Sequence, residues 1–258
     1  MAVAARSSAA GCNAMRTRVL IGLLLFACIC VPLHSGAQSQ PSSYEVSVRE
    51  LSIPPKAFRA FEQGIERLAK KDAAGSLPYF QRAIQEFAGY YEAYDRIGSA
   101  DLKLWRIPEA EQAFRKSIEL SGSQYAHPLL ALGAILDEQE KFAEAESVTR
   151  SGLDLAPETW RGHYYLAFAL FGLNRLEEAK NSVHEALRLK ADFPEAHLLL
   201  AKIHCHEGDY RSLVNDVNEY LTLAPDGPAS ATAKALRETA QAMIFESPSN
   251  PAPAKSQP

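Results

Sequence analysis

Five small residues recur along this chain at a nearly constant interval: Gly64, Gly98, Gly133, Ala167 and Ala201, with steps of 34, 35, 34 and 34. Twelve positions after each stands a second marker, at Ser76, Ala110, Ala145, Ala179 and Leu213. A third follows eight positions on, at Ile84, Ile118, Leu153, Leu187 and Leu221. A self-similar unit this short cannot form an independent domain. It suits a helical hairpin that buries its apolar face only by stacking on its neighbours. The period therefore predicts an all-α solenoid before any other feature is considered.

Dividing the chain at that period gives five repeats, over 57–90, 91–124, 126–159, 160–193 and 194–227, with Tyr125 as a one-residue insertion. Each unit carries one helix over roughly positions 1–14 and a second over positions 17–30. Short polar pairs join them: Lys71-Asp72, Trp105-Arg106, Glu140-Lys141, Asn174-Arg175 and Gly208-Asp209. Connections this short permit only an antiparallel neighbour. The small residues at positions 8 and 20 are expected to face each other and let the helix axes approach to ~8–10 Å. Large apolar residues fill the remaining space, among them Leu132, Leu166 and Leu200 at position 7, Phe80 and Phe114 at position 24, and Leu120, Leu155, Leu189 and Leu223 at position 30. Residues 228–246, rich in alanine, are expected to form a helix that caps the exposed flank of the last repeat. Ahead of the repeats, 38–56 reads as a polar linker in which Tyr44 to Leu51 alternates like a short strand before Pro54-Pro55. The tail 247–258, rich in Pro and Ser, is expected to be disordered.

The N-terminus has the pattern of an export signal. Arg16 and Arg18 flank an apolar run from Val19 to Leu33, and Ser35-Gly36-Ala37 supplies small residues for cleavage after Ala37. Residues 1–37 are accordingly read as a signal peptide. Membrane attachment enters this reading only through an uncleaved N-terminus, or a lipidated one at Leu25-Phe26-Ala27-Cys28. Of four cysteines, Cys12, Cys28 and Cys30 lie in this segment, so removal would leave Cys205 with no disulfide to form in the mature chain. The formal net charge is −4, and the leader contains three arginines and no acid, so the remainder is more acidic still. Without a cluster of Lys and Arg, nucleic acid is not an expected partner.

The marker positions are those of a known family. Tyr94-Asp95-Arg96-Ile97-Gly98 with Ala110, Phe114 and Ile118 resembles the consensus of the tetratricopeptide repeat. So do Leu129-Leu130-Ala131-Leu132-Gly133 with Ala145 and Pro157, and Tyr165-Leu166-Ala167 with Leu170, Ala179 and Leu187. The resemblance spans about 57–227. Repeat one departs at Gln63 and Arg67, and repeat five at Leu213 and Tyr220, where alanine is usual. The resemblance implies right-handed superhelical stacking and a concave groove, lined by positions 2, 5, 6, 9, 12 and 13 of the first helices, that holds peptides or partner proteins. In this chain repeat two offers Glu92, Asp95, Arg96, Ser99 and Lys103, and repeat three His127, Leu130, Asp137 and Glu138. Repeat four offers Arg161, Tyr164, Tyr165, Phe168 and Phe171, and repeat five Glu195, Leu198, Lys202 and His206. Tyr164, Phe168 and Phe171 fall on one helical face, where aromatic rings anchor peptide side chains or else pack against neighbouring helices. The carboxylate clamp known in the family needs Lys at position 5 and Asn at position 9. Phe61 and Ile65, Asp95 and Ser99, and Leu130 and Ala134 occupy those positions, so no C-terminal carboxylate ligand is assigned.

Catalytic motifs are missing. There is no phosphate-cradling Gly-rich loop, no Gly-x-Ser-x-Gly elbow and no His-Glu-x-x-His helix. His204-Cys205-His206 with His197 suggests a metal, but His204 and His206 lie ~200° apart around a helix and His197 is ~10.5 Å of rise from His204. No metal or cofactor is assigned. The sequence reads as a non-catalytic interaction scaffold, exported to the periplasm or cell envelope or secreted, with a protein or peptide partner and no small-molecule substrate. An envelope assembly or chaperone-like factor is the alternative, and a metal-dependent accessory enzyme a third reading.

Overall fold

The computed structural model describes residues 52–246. The leader, the strand-like 44–51 and the tail 247–258 lie outside the described residues. All regular structure among the described residues is helical. The helices are α1 (Pro55–Ala69), α2 (Ala73–Glu86), α3 (Tyr91–Lys103), α4 (Ile107–Ser121), α5 (Ala126–Glu138) and α6 (Phe142–Leu155). They continue as α7 (Trp160–Gly172), α8 (Leu176–Leu189), α9 (Pro194–Glu207), α10 (Tyr210–Leu223) and α11 (Ser230–Glu246). The described residues divide into two compact units, one ending at Ala169 and the other beginning at Leu170.

Each hairpin reverses through the same backbone device. The fifteenth residue of every repeat takes a left-handed conformation: Lys71, Trp105, Glu140 and Asn174 with φ near +60°, and Gly208 at +76°. The following N–H then donates back five positions, as from Arg106 to the Asp101 carbonyl and from Lys141 to the Leu136 carbonyl, both at 2.9 Å. This satisfies the open carbonyls at the helix end. A left-handed conformation costs a non-glycine residue about 1–2 kcal/mol, so tertiary packing must hold Lys71, Trp105 and Glu140 there. Asp72 and Asp209 then cap the second helices of repeats one and five, accepting from the N–H groups of Gly75 and Ser212 at 2.8 and 3.1 Å. Between repeats two and three, Gly122 and Ser123 are both left-handed. Two reversals in succession make room for the inserted Tyr125, whose ring packs 5.3 Å from that of Tyr91.

Inside the hairpins position 8 is met most closely by the side chain at position 24, and in repeat three also by the backbone of position 20, where a Cβ on Gly133 would lie 3.6 Å from the Ala145 carbonyl. A Cβ on Gly98 would lie 2.8 Å from the ring of Phe114, one on Gly64 would lie 2.5 Å from the ring of Phe80, and one on Gly133 would meet the Thr149 hydroxyl. Ala110 and Ala145 are fully buried, as position 20 requires. The position-30 leucines do not all complete the core, because Leu155 and Leu223 are the last residues of α6 and α10 and lie exposed.

In the second unit, α10 packs against both α9 and α11. Leu213 and Tyr220, the two bulky departures of repeat five, are buried with Ala229, Ala233 and Ala240. The Ala229 N–H donates to the Tyr220 hydroxyl at 3.1 Å. A Cβ on Gly227 would lie 2.6 Å from that hydroxyl, so glycine is required where the chain turns into α11. The alanines of α11 thus fit a surface made bulky by Leu213 and Tyr220, and the last hairpin keeps its pairing.

Candidate partner-binding face

Asp95, expected to face a partner, is fully buried. Its carboxylate lies 2.6 Å from Nδ1 of His127 and 3.9 Å from Nε of Arg96, and it accepts from the Tyr125 hydroxyl at 3.4 Å. Burial, with the Asp95 charge beside it, pushes the Tyr125 phenol up. Asp95 therefore ties repeat two to repeat three. Its position alone could not show this, because the inserted Tyr125 is what brings the hydroxyl into range. Ser99 is buried one turn further along α3. Arg96 and Lys103, two turns apart on one face, keep partial exposure. Nε of Arg96 is buried and makes no hydrogen bond.

On α5, Leu130 is buried and fills the space left by two glycines. A Cβ on Gly152 would lie 2.6 Å from Leu130 Cδ2, and one on Gly162 of α7 would lie 3.1 Å from the same atom. Asp137 lies two turns on, on the same face of α5. It is 6% exposed, and neither of its carboxylate oxygens has a hydrogen-bond partner. Burial first, and the Glu138 charge second, hold Asp137 well above the usual carboxylate range. Burial also pushes Glu138 up to about 7, although its side chain still reaches solvent.

Helix α7 carries the aromatic series. The Arg161 guanidinium lies 4.2 Å above the Trp160 ring. Tyr164 is only 7% exposed and packs edge-on against Tyr165, with ring centroids 6.1 Å apart. Phe168 is partly covered by Phe142 of α6 at 6.5 Å, and Phe171 meets the edge of His206 at 5.9 Å. Tyr165, Phe168 and Phe171 all retain some exposed surface. Tyr164 belongs to the packing.

In the second unit, Lys202 is mostly buried, which depresses its ammonium pKa, and His206 is exposed. His204 Nδ1 lies 2.7 Å and His197 Nδ1 4.0 Å from the two oxygens of Asp216 on α10. The helical rise that separates the two histidines does not keep them from sharing one carboxylate. No sequence signal singled out Asp216, because it sits on a different helix. Among the described residues no group of three or more His, Cys, Asp or Glu side chains is arranged to hold a metal ion. The expectation that Cys205 has no disulfide to form in the mature chain turns on Cys12, Cys28 and Cys30, which lie outside the described residues. No helix among the described residues is long and apolar enough to cross a membrane.

Helix pairs that reverse through one repeated turn define a helical-repeat fold. Residues 136–203 match the family model of the tetratricopeptide repeat, and the fold is that of tetratricopeptide-repeat structures. MamA of Desulfovibrio magneticus RS-1, from its residue 41 to its end, is similar at 19% identity and a TM-score of 0.60, covering 68% of this chain and 100% of that one. YrrB, a tetratricopeptide-repeat protein with an unusual peptide-binding site, is similar at 14% identity and a TM-score of 0.59, covering 69% and 92%. PilF of Pseudomonas aeruginosa is similar at 17% identity and a TM-score of 0.58, covering 75% and 93%. No curated protein matches the chain by sequence.

Proposed function

We propose that this chain is a non-catalytic scaffold, exported to the cell envelope, that holds a segment of a protein partner against the first helices of its repeats. The observation that carries the reading is on α7, where Tyr165, Phe168 and Phe171 share one helix and each keeps part of its ring surface uncovered. Partly exposed aromatic side chains held on a rigid helix supply anchoring area with little loss of side-chain entropy. The fold supports the same reading, because tetratricopeptide-repeat proteins are typically interaction scaffolds and the similar YrrB has a peptide-binding site. The basic flank, apolar run and small residues that end at Ala37 support export.

A photo-reactive amino acid placed at Phe168 in the producing cell tests the groove. A discrete cross-linked partner is expected, and it should disappear when Tyr165 and Phe171 are both changed to alanine while far-ultraviolet circular dichroism is unchanged. Tyr164 is left in place because it is buried. Cross-linking that persists in that variant removes α7 from the interface. N-terminal sequencing of the protein recovered from the cell checks export: the mature chain is expected to begin at Gln38, and an intact N-terminus in a cytoplasmic fraction sinks that part.

A further inference from the structure

The described residues hold three buried carboxylates, and the fold provides for two of them. Asp95 is bound by His127 and Tyr125, and Asp101 lies 3.7 Å from the Arg106 guanidinium. Asp137 has nothing, and both of its oxygens are out of contact with water and with any donor. A buried acid without a partner is costly, because no compensating hydrogen bond replaces the lost hydration. Packing does not demand an acid here. The same position of the other four repeats holds Leu68, Leu102, Phe171 and Cys205. A local rule broken without compensation inside the molecule points to a function outside it.

We infer that Asp137, with Glu138 beside it, receives an arginine or lysine side chain from the partner that the repeats hold. This rests on the groove reading above and names the chemistry of what enters it. Asp137 lies on the face of α5 that bears Leu130 and abuts α7 at Gly162, so a segment laid along α7 passes this seam. Both oxygens are covered in the unbound chain, so an incoming group must push aside the side chains over them, and a long unbranched stem with its charge at the tip is suited to that. Glu138 is exposed and close enough for its charge to act on Asp137, so an approaching cation meets one carboxylate before it reaches the other. A guanidinium or ammonium group supplies the donors that Asp137 lacks and lets both acids ionise.

Panning a random peptide library against the exported chain tests this. Peptides enriched on the wild type are expected to carry Arg or Lys, and to bind the Asp137→Asn variant about thirtyfold or more weakly, the usual cost of losing one partner of a buried charge pair. Asp137→Leu, the residue of repeats one and two, provides a second variant of assured packing and is expected to lose the same peptides. Norleucine or citrulline in place of the basic residue should weaken wild-type binding equally and leave Asp137→Asn binding unchanged. Enriched peptides that lack a basic residue, or that bind all three proteins alike, overturn the inference. If those same peptides still lose affinity on Phe168→Ala, the groove reading survives. A library that yields no binder counts against the groove itself.

Discussion

One methyl group separates two solutions to the same packing problem. In repeats one and two a glycine lies under a phenyl ring, Gly64 with Phe80 and Gly98 with Phe114. In repeat five Ala201 shares a buried cluster with Val217, and the sequence repeats that pairing as Ala167 and Val183. Volume is conserved across the contact while its division between the helices changes. Gly98→Ala should therefore destabilise by about 1–2 kcal/mol, since overpacking outweighs the helix propensity gained. Phe114→Val should cost about 2–4 kcal/mol alone through the cavity it leaves. Together they should cost less than the sum, with a coupling of about 1 kcal/mol in a double-mutant cycle read by urea unfolding. Strict additivity would show that the two side chains do not meet.

Among the elements, α11 depends on a surface that a regular repeat does not have. Leu213 and Tyr220 replace small residues, and the alanines of α11 fit against them. Tyr220→Phe keeps the ring but leaves the Ala229 N–H without its acceptor, at a cost of about 1–2 kcal/mol. Tyr220→Ala also empties the space under the helix, and about 3–5 kcal/mol should be lost. Hydrogen exchange locates the effect: α11 amides should lose protection first, while those of α1 to α4 hold theirs. Protection of α11 that is unaltered in Tyr220→Ala would mean that the helix is held by other contacts. The departures of repeat five marked this end of the chain as unusual, yet the residues they had to fit, Ala229 to Ala240, come from outside the repeat.

At the scale of the whole molecule, its buried acids set how stability depends on pH. The folded-state pKa values of Asp137, Glu138 and Asp101 are all raised by burial. A raised folded-state pKa means that the native state holds protons which the unfolded chain releases near pH 4. The contribution to stability is therefore complete below that value and is lost as the pH climbs through the folded-state values, about 7 for Glu138. The lowered acids, Glu66, Glu111 and Asp209, act only below their ordinary values, 4.5 for the two glutamates and 3.8 for Asp209, and do not oppose this trend in the window above. The melting temperature is expected to fall from pH 5 to pH 8. Asp137→Leu should flatten the fall and stabilise by about 1–3 kcal/mol at pH 8. A variant less stable than wild type at pH 8 would show that Asp137 has an internal partner.

The regular spacing of small residues was enough to establish paired helices, their number and the short turns between them, because a repeated unit must bury its apolar face on its neighbours wherever it occurs. The same pattern says which positions are small, but not what presses on them, and Phe114 over Gly98 became visible only when the two helices were brought together. Nor does a position in the repeat reveal whether a polar group is already engaged. Asp95 and Asp137 both occupy first-helix positions that face a ligand in the family, and only the tertiary structure separates them. The inserted Tyr125 and His127 from the next repeat claim Asp95, whereas no neighbour reaches Asp137. Propensity and periodicity are properties of the chain near a residue, while hydrogen-bond partnership depends on groups far away in sequence that folding brings within about 3 Å.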